Sequence, residues 1–287
     1  MKALVFIVSR LYRDRSAFLG ALIILALVVV ALAAPLLVSH PDAAWAMNPQ
    51  VRLRPPGGEF LFGTDRMGGD IYARVIYGAR ITLTIAVVAV GVSLLIGVPV
   101  GLVAGFYGHW LGEVLMRVSD IFLAVPQIVL AIAIALTLGP SIENVILALS
   151  LTYWPWFTRL VYAETQSLKN EVFIEAAMAL GVPPWRIIVT HILPNVASPI
   201  IVRTSIGMGF TILTAAALGF LGLGAPPPAP EWGRMISESR EHLPDAWWYA
   251  LAPGLAIFLV VMGFNLLGDG LRDILDPRIR RAQHGRG

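Results

Sequence analysis

Long stretches without a single Asp, Glu, Lys or Arg alternate along this chain with short charged segments. The charge-free runs are 17–38, 81–107, 121–142, 144–158, 204–230 and 246–268. A bilayer core takes about 20 apolar helical residues at ~1.5 Å each, so every run but the fourth has the length of a membrane span. Residues 160–163 extend the fourth past Arg159 to a usable length. The pattern predicts six helices, at 17–38, 81–107, 119–140, 143–163, 198–224 and 247–268. Glycines and prolines inside the runs (Gly91, Gly97, Pro99, Pro126, Gly207, Gly209) are compatible with membrane helices. Between the first two helices, Pro41, Pro49, Pro55, Pro56, Gly57 and Gly58 read as irregular loop. Residues 71–77, apolar at Ile71, Val75 and Ile76, predict a separate interfacial helix before the second span.

Composition supports that reading. Of 287 residues 57% are hydrophobic and 14% charged, where soluble domains carry about 25% charged residues. Mean hydropathy is +0.76. So few charges exclude both a compact soluble protein and a disordered one. The first apolar run is too long for a cleaved signal peptide, whose apolar region is about 7–15 residues, and is expected to be retained. The fold class is therefore an all-α polytopic membrane protein.

The net charge of +3 raises the question of nucleic acid, but the basic residues form no single patch. They follow the membrane instead. With the N-terminus inside, thirteen Lys and Arg fall in inner segments, among them Lys2, Arg10, Arg13, Arg117, Lys169, Arg186 and Arg272. Seven fall outside (Arg52, Arg54, Arg66, Arg74, Arg80, Arg234, Arg240), and Arg203 lies near the inner end of the fifth helix. Positive-inside bias then predicts both termini in the cytoplasm of a cell-membrane protein. Two units are expected: 1–60, with the tail, first span and outer loop, and 61–287, a core of five spans with a cytoplasmic loop at 170–194.

Several chemistries lack their residues. Neither lysine follows a glycine, so there is no phosphate-binding loop of the Gly-Lys-Ser/Thr type. The charge-free runs hold no ionisable group for a coupling ion, which disfavours proton or sodium coupling. There is no cysteine, and His40, His109, His191, His242 and His284 are too scattered for a ligand set. The expectation is no catalytic site, no cofactor and no metal.

The most informative stretch is 170–194, NEVFIEAAMALGVPPWRIIVTHILP. Phe173, Ala176, Ala177 and Leu180 share one apolar helical face, with Glu171 and Glu175 off it. Gly181 can close that helix in a left-handed turn and Pro183 stops its continuation. A second short helix is expected from Pro184 through Trp185, Ile187 and Ile188, with Pro194 opening the approach to the fifth span. On periodicity alone, an amphipathic helix resting on the lipid surface is the preferred reading.

Beyond periodicity, Glu175-Ala176-Ala177, Gly181 and a closing Leu193-Pro194 resemble the EAA loop of permease subunits in ABC importers. Where that pattern generally has isoleucine this chain has His191, which in His191-Ile192-Leu193-Pro194-Asn195 is similar to the dipeptide/oligopeptide/nickel branch. Three further passages resemble that branch: Gly63-Thr64-Asp65 with Gly68-Gly69-Asp70 and Tyr77-Gly78-Ala79-Arg80; Asp120 with Pro126; and Pro230-Glu231-Trp232-Gly233 with Trp247-Trp248 and Pro253-Gly254. Gly69 stands where the family has arginine, so no role of that arginine carries over. Order and lengths are similar to the second, C-type permease of the pair, over residues 10–281.

The resemblance implies a type I importer core and a heterodimer with a second, homologous permease. It also implies two ATPase subunits below and an extracytoplasmic substrate-binding protein above. In the family the loop is the coupling helix, which here implies contact with an ATPase through Glu171, Glu175, Ala176, Ala177, Gly181, Trp185, His191 and Pro194. Dipeptides, oligopeptides, glutathione and nickel chelates are all cargoes of this branch. A self-sufficient channel or carrier, and a membrane anchor without transport, are the readings from other classes. Simpler roles stand beside the family ones. Asp65 and Asp70 can cap an interfacial helix, Trp232, Trp247 and Trp248 can form an outer aromatic belt, and Arg80 and Arg203 can snorkel or pair with acids.

Overall fold

The computed structural model describes residues 14–38 and 40–275. Lys2, Arg10, Arg13, Arg278, Arg280, Arg281, Arg286 and His284 lie outside them, and with them much of the basic surplus expected on the inner side. The described residues form helices α1 (Arg15–Leu37), α2 (Ile71–Tyr107), α3 (His109–Ala124), α4 (Gln127–Leu138), α5 (Ile142–Lys169), α6 (Val172–Ala179), α7 (Pro184–Ile187), α8 (Leu193–Phe220), α9 (Trp232–Ser239) and α10 (Trp247–Leu275). Among these residues there is no β-strand, only two isolated bridges in the outer loop.

Four helical stretches are long and apolar enough to cross a membrane: α1, α2, the continuous Pro184–Phe220 rod formed by α7 and α8, and α10. The pair α3 and α4 makes a fifth if its two arms count as one span. The remaining expected span falls in α5, which is 28 residues long but carries Tyr153, Trp154, Pro155, Trp156 and Arg159 in its middle. Tyr153, Trp154 and Phe157 are buried in the bundle, while Arg159 is exposed and paired with Asp120 at 2.6 Å.

Small residues set how closely the helices approach. Gly97, Gly101 and Gly105 recur every fourth residue on α2 and face α5; a Cβ at Gly101 would stand 2.6 Å from the Thr158 carbonyl oxygen. Ser93 and Thr158 tie the same seam, donating to the carbonyls of Ser150 and Gly97 at 3.1 and 3.2 Å. At Gly20 a Cβ would meet the α10 backbone at 2.6 Å, and Ser205 on α8 donates to the Phe264 carbonyl of α10 at 3.1 Å. This is the close small-residue packing by which helices associate where lipid removes the hydrophobic drive.

Three expectations change. Residues 71–77 are not a separate interfacial helix but the first turns of α2, because Asp70 caps that helix at Tyr72 N–H (2.9 Å) and the buried Arg74 is neutralised by Asp65. The 119–140 helix is broken at Val125–Pro126, where α3 and α4 meet at 86°. Proline drives the preceding residue out of the helical region, and Val125 is extended. At 184–224 the expected short helix and fifth span form one rod, joined through a single wide turn at Ile188–Ile192 in which Leu193 N–H bonds to the Ile188 carbonyl.

Candidate functional site

The 170–194 segment is built as a hook. Helix α6 ends in a left-handed turn at Gly181 (φ 75°), where Val182 N–H reaches the Ala177 carbonyl at 3.1 Å and Gly181 N–H that of Met178 at 3.0 Å. Pro184 then opens the Pro184–Phe220 rod. The hook is anchored by Ile174, Ala177, Ile187, Ile188 and Ile192, buried against Val98, Leu102 and Phe106 of α2 and Phe157 and Val161 of α5. Lys169 lies 5.7 Å from the Phe106 ring centroid and fastens the end of α5.

The apolar face read from the periodicity is mostly turned outward. Of Phe173, Ala176, Ala177 and Leu180, only Ala177 is buried; Ile174 supplies the anchor instead. Helix α6 is apolar nearly all round, so periodicity could not choose between faces. The remaining large apolar side chains point outward: Val172 is 78% exposed, Leu180 84% and Trp185 65%, with Phe173 beside them. Glu171, Glu175, Ala176, Gly181 and Pro194 are also exposed, while His191 is half-buried with Nδ1 2.7 Å from Thr190 Oγ1. The structure thus brings the expected site residues onto one hook, Ala177 facing in and His191 and Pro194 standing further along the rod. Exposed apolar side chains rimmed by carboxylates mark a surface that a partner or a membrane covers.

At the opposite end the 40–70 and 225–246 segments are clamped together. Asp65 pairs with the buried Arg74 and accepts the N–H groups of Met67 and Gly69 at 2.7 and 2.8 Å. A side chain at Gly69 would begin 2.7 Å from the Asp65 carboxylate, so the cation in this turn comes from Arg74. Trp232 donates to the Val75 carbonyl at 3.0 Å and Trp248 to that of Thr64 at 3.4 Å. Both indoles are buried, so only Trp247, 53% exposed, fits the expected aromatic belt. Glu238 takes hydrogen bonds from Arg66 (3.1 Å), Arg234 (3.2 Å) and Tyr249 (2.8 Å). Burial pushes Glu238 up, but these donors outweigh it and hold the carboxyl below the usual glutamate range. Glu231 lies in a cradle of Gly219 and Gly224, with Oε2 buried and unpartnered, and burial pushes its carboxyl up to about 7. Arg74 and Glu231 escaped the sequence reading, since neither lies in a periodic pattern that announces burial.

The two remaining arginines part ways. Arg80 is exposed. Arg203 pairs with no acid among the described residues; it lies over the rings of Trp156 and Tyr153, at 4.7 and 5.6 Å to the centroids.

Two family models match the chain: binding-protein-dependent transport system inner membrane component over residues 97–281, and N-terminal TM domain of oligopeptide transport permease C over residues 7–56. The chain is 48% identical over 272 residues to a dipeptide transport system permease protein of Alkalihalophilus pseudofirmus, covering 95% of this chain and 89% of that one. It is 41% identical over 271 residues to a glutathione transport system permease protein of Pectobacterium atrosepticum, covering 94% and 90%. With a di/tripeptide transport system permease protein of Pseudomonas aeruginosa it shares 39% over 273 residues, covering 94% and 90%. Among solved structures, an inward-facing MetNI methionine ABC transporter chain superposes with a TM-score of 0.59 at 20% identity, over 72% of this chain and 98% of that one. That likeness concerns the fold.

Proposed function

The chain belongs to the family of binding-protein-dependent transport system inner membrane components, and from that membership we propose that it forms half of the pathway of an ATP-driven peptide importer. It is a multi-pass membrane transport subunit of the peptide class of ABC importers. A second, homologous permease completes the pathway, a binding protein delivers cargo to the clamped outer segments, and two ATPase subunits dock below. Six spans with both termini inside fit this arrangement. ATP-driven closure of the motor subunits pushes the hook, and the rod beginning at Pro184 transmits that push to mid-membrane. No residue of this chain performs hydrolysis.

The observation that carries the reading is the hook itself, anchored on one side through Ile174 and Ile187 and exposing Val172, Phe173, Leu180 and Trp185 on the other. Within the peptide class, the 41% identity to a glutathione permease favours glutathione as the second cargo to test. A Cβ at Gly181 meets no atom within 4 Å, so a substitution there strains only the left-handed backbone. That strain costs about 1–2 kcal/mol and distorts the hook without touching the spans. In purified complexes with binding protein and ATPases, Gly181→Val is expected to lower peptide uptake per ATP hydrolysed, or to release the ATPases. Full uptake by an assembled Gly181→Val complex would refute the coupling role.

A further inference from the structure

The Pro184–Phe220 rod carries one cation at its middle. Arg203 stands 17 residues before Phe220 and 19 after Pro184, about 25 and 28 Å along the axis at ~1.5 Å per residue, too far for its side chain to reach either end. Among the described residues no carboxylate lies within ion-pair distance of it, and its Nε is buried without a hydrogen-bond partner. Only two aromatic faces hold it, Trp156 and Tyr153 of α5. The platform is itself braced, for Trp156 Nε1 donates to Gln127 Oε1 on α4 at 3.2 Å, and Gly207 leaves the space that the Tyr153 ring fills.

A groove begins two turns further along α8. Tyr153 stacks on Phe210 with centroids 6.5 Å apart, and Phe210 lines a groove of about 450 Å³ that runs up α8 past Leu213 to Phe220. The surroundings of Arg203 are also unlike a lipid-facing surface. One turn along α5 from Trp156, Arg159 pairs with Asp120 at 2.6 Å on an exposed face, whereas the middles of α1 and α10 expose large apolar side chains such as Leu25, Leu32, Leu255 and Phe258. Ionisable groups within membrane spans turn toward a bundle interior or a water-filled path. In the heterodimer proposed above, that path runs along this face.

We infer that Arg203, seated on Trp156 and Tyr153 two turns of α8 before the apolar groove, is a transient site for the carboxylate of the passing peptide. The inference rests on the peptide-importer reading. Apolar walls accommodate varied side chains, while every peptide with a free C-terminus carries the one anionic group that a guanidinium fork recognises. Aromatic seating leaves the fork aimed and without a competing carboxylate of its own.

The test uses the whole complex in proteoliposomes with saturating binding protein, and compares uptake of Ala-Ala with its C-terminal amide. The binding protein is the same throughout, so any change in the ratio of the two rates reports the permease. Arg203→Gln is expected to shrink the wild-type preference for the free acid by about tenfold, the worth of one charge-assisted hydrogen bond. Arg203→Lys should keep the preference at reduced uptake, and Trp156→Leu should narrow it. An unchanged ratio in Arg203→Gln overturns the inference. So does an equal loss of both substrates together with weakened assembly of the two permeases, which assigns Arg203 to an acid of the partner chain. Failure of the wild-type complex to take up either compound, or any other small peptide, instead removes the peptide-importer reading on which the site depends.

Discussion

Glu231 and Glu238 lie two turns apart at the outer clamp and meet burial differently. Glu238 is surrounded by Arg66, Arg234 and Tyr249, so its charged form is the stable one. Glu231 has Gly219 and Gly224 around it and an unpartnered oxygen, so its neutral form is favoured and its carboxyl is raised from 4.5 to about 7. Between those two pH values the folded chain holds a proton that the unfolded chain has released, so stability falls as pH rises and levels off above about 7. The difference corresponds to about 3 kcal/mol at full ionisation. The depressed Glu238 contributes in the opposite sense and only in acid, where stability is lost as pH falls below about 4.5. Thermal unfolding of the purified complex from pH 5 to 8 should therefore show a falling midpoint in the wild type and a flatter one in Glu231→Gln, which is the more stable of the two at pH 8. Parallel curves would show that Glu231 is solvated. None of this is visible in Pro230-Glu231-Trp232-Gly233 as letters, because the carboxylate is isolated by glycines twelve and seven residues earlier in the chain.

At the scale of the helix, the charge-free runs located the main rods well and their ends poorly. A run of letters stops at the first charge, whereas a helix continues through Arg74 once Asp65 neutralises it. Prolines show the same limit. Helices continue through Pro99, Pro155, Pro199 and Pro253 and break at Pro126. The residue type is constant, and what differs is whether flanking helices hold the rod straight: α2 is pinned by its glycine seam on both sides of Pro99, and α3 has no such seam. That seam is open to direct test. A methyl at Gly101 would stand 2.6 Å from a backbone oxygen and 2.8 Å from the Val161 Cβ, while one at Gly91 meets nothing within 4 Å. Gly101→Ala is expected to destabilise by about 1–3 kcal/mol through overpacking. Gly91→Ala, on the same helix, gains helix propensity and should be neutral or stabilising by up to about 1 kcal/mol. The pair is read as the change in thermal midpoint in detergent, and equal shifts would mean that α2 and α5 do not meet where the glycines recur.

As a whole, the chain has three kinds of surface. Leucine-rich flanks of α1 and α10 suit lipid, the face bearing Arg203 and the Asp120–Arg159 pair suits a polar neighbour, and the hook exposes Trp185 and Leu180 beyond the rods. A self-sufficient carrier has no use for the third surface, and a lipid-resting helix would bury it in headgroups. Orientation decides the matter. The chain has no cysteine, so single cysteines can be placed without altering a native thiol. Leu180→Cys on the hook and Glu59→Cys in the outer loop are both at exposed positions. A membrane-impermeant maleimide added outside sealed cells should label Glu59→Cys alone, and Leu180→Cys should react only in inverted vesicles. Adding the ATPase subunits should then protect Leu180→Cys, because docking covers it, and leave Glu59→Cys unchanged. Labelling of Leu180→Cys from outside would invert the topology and place the hook beyond any cytoplasmic motor. Labelling from inside without protection would leave the hook lying on lipid and return coupling to some other part of the fold.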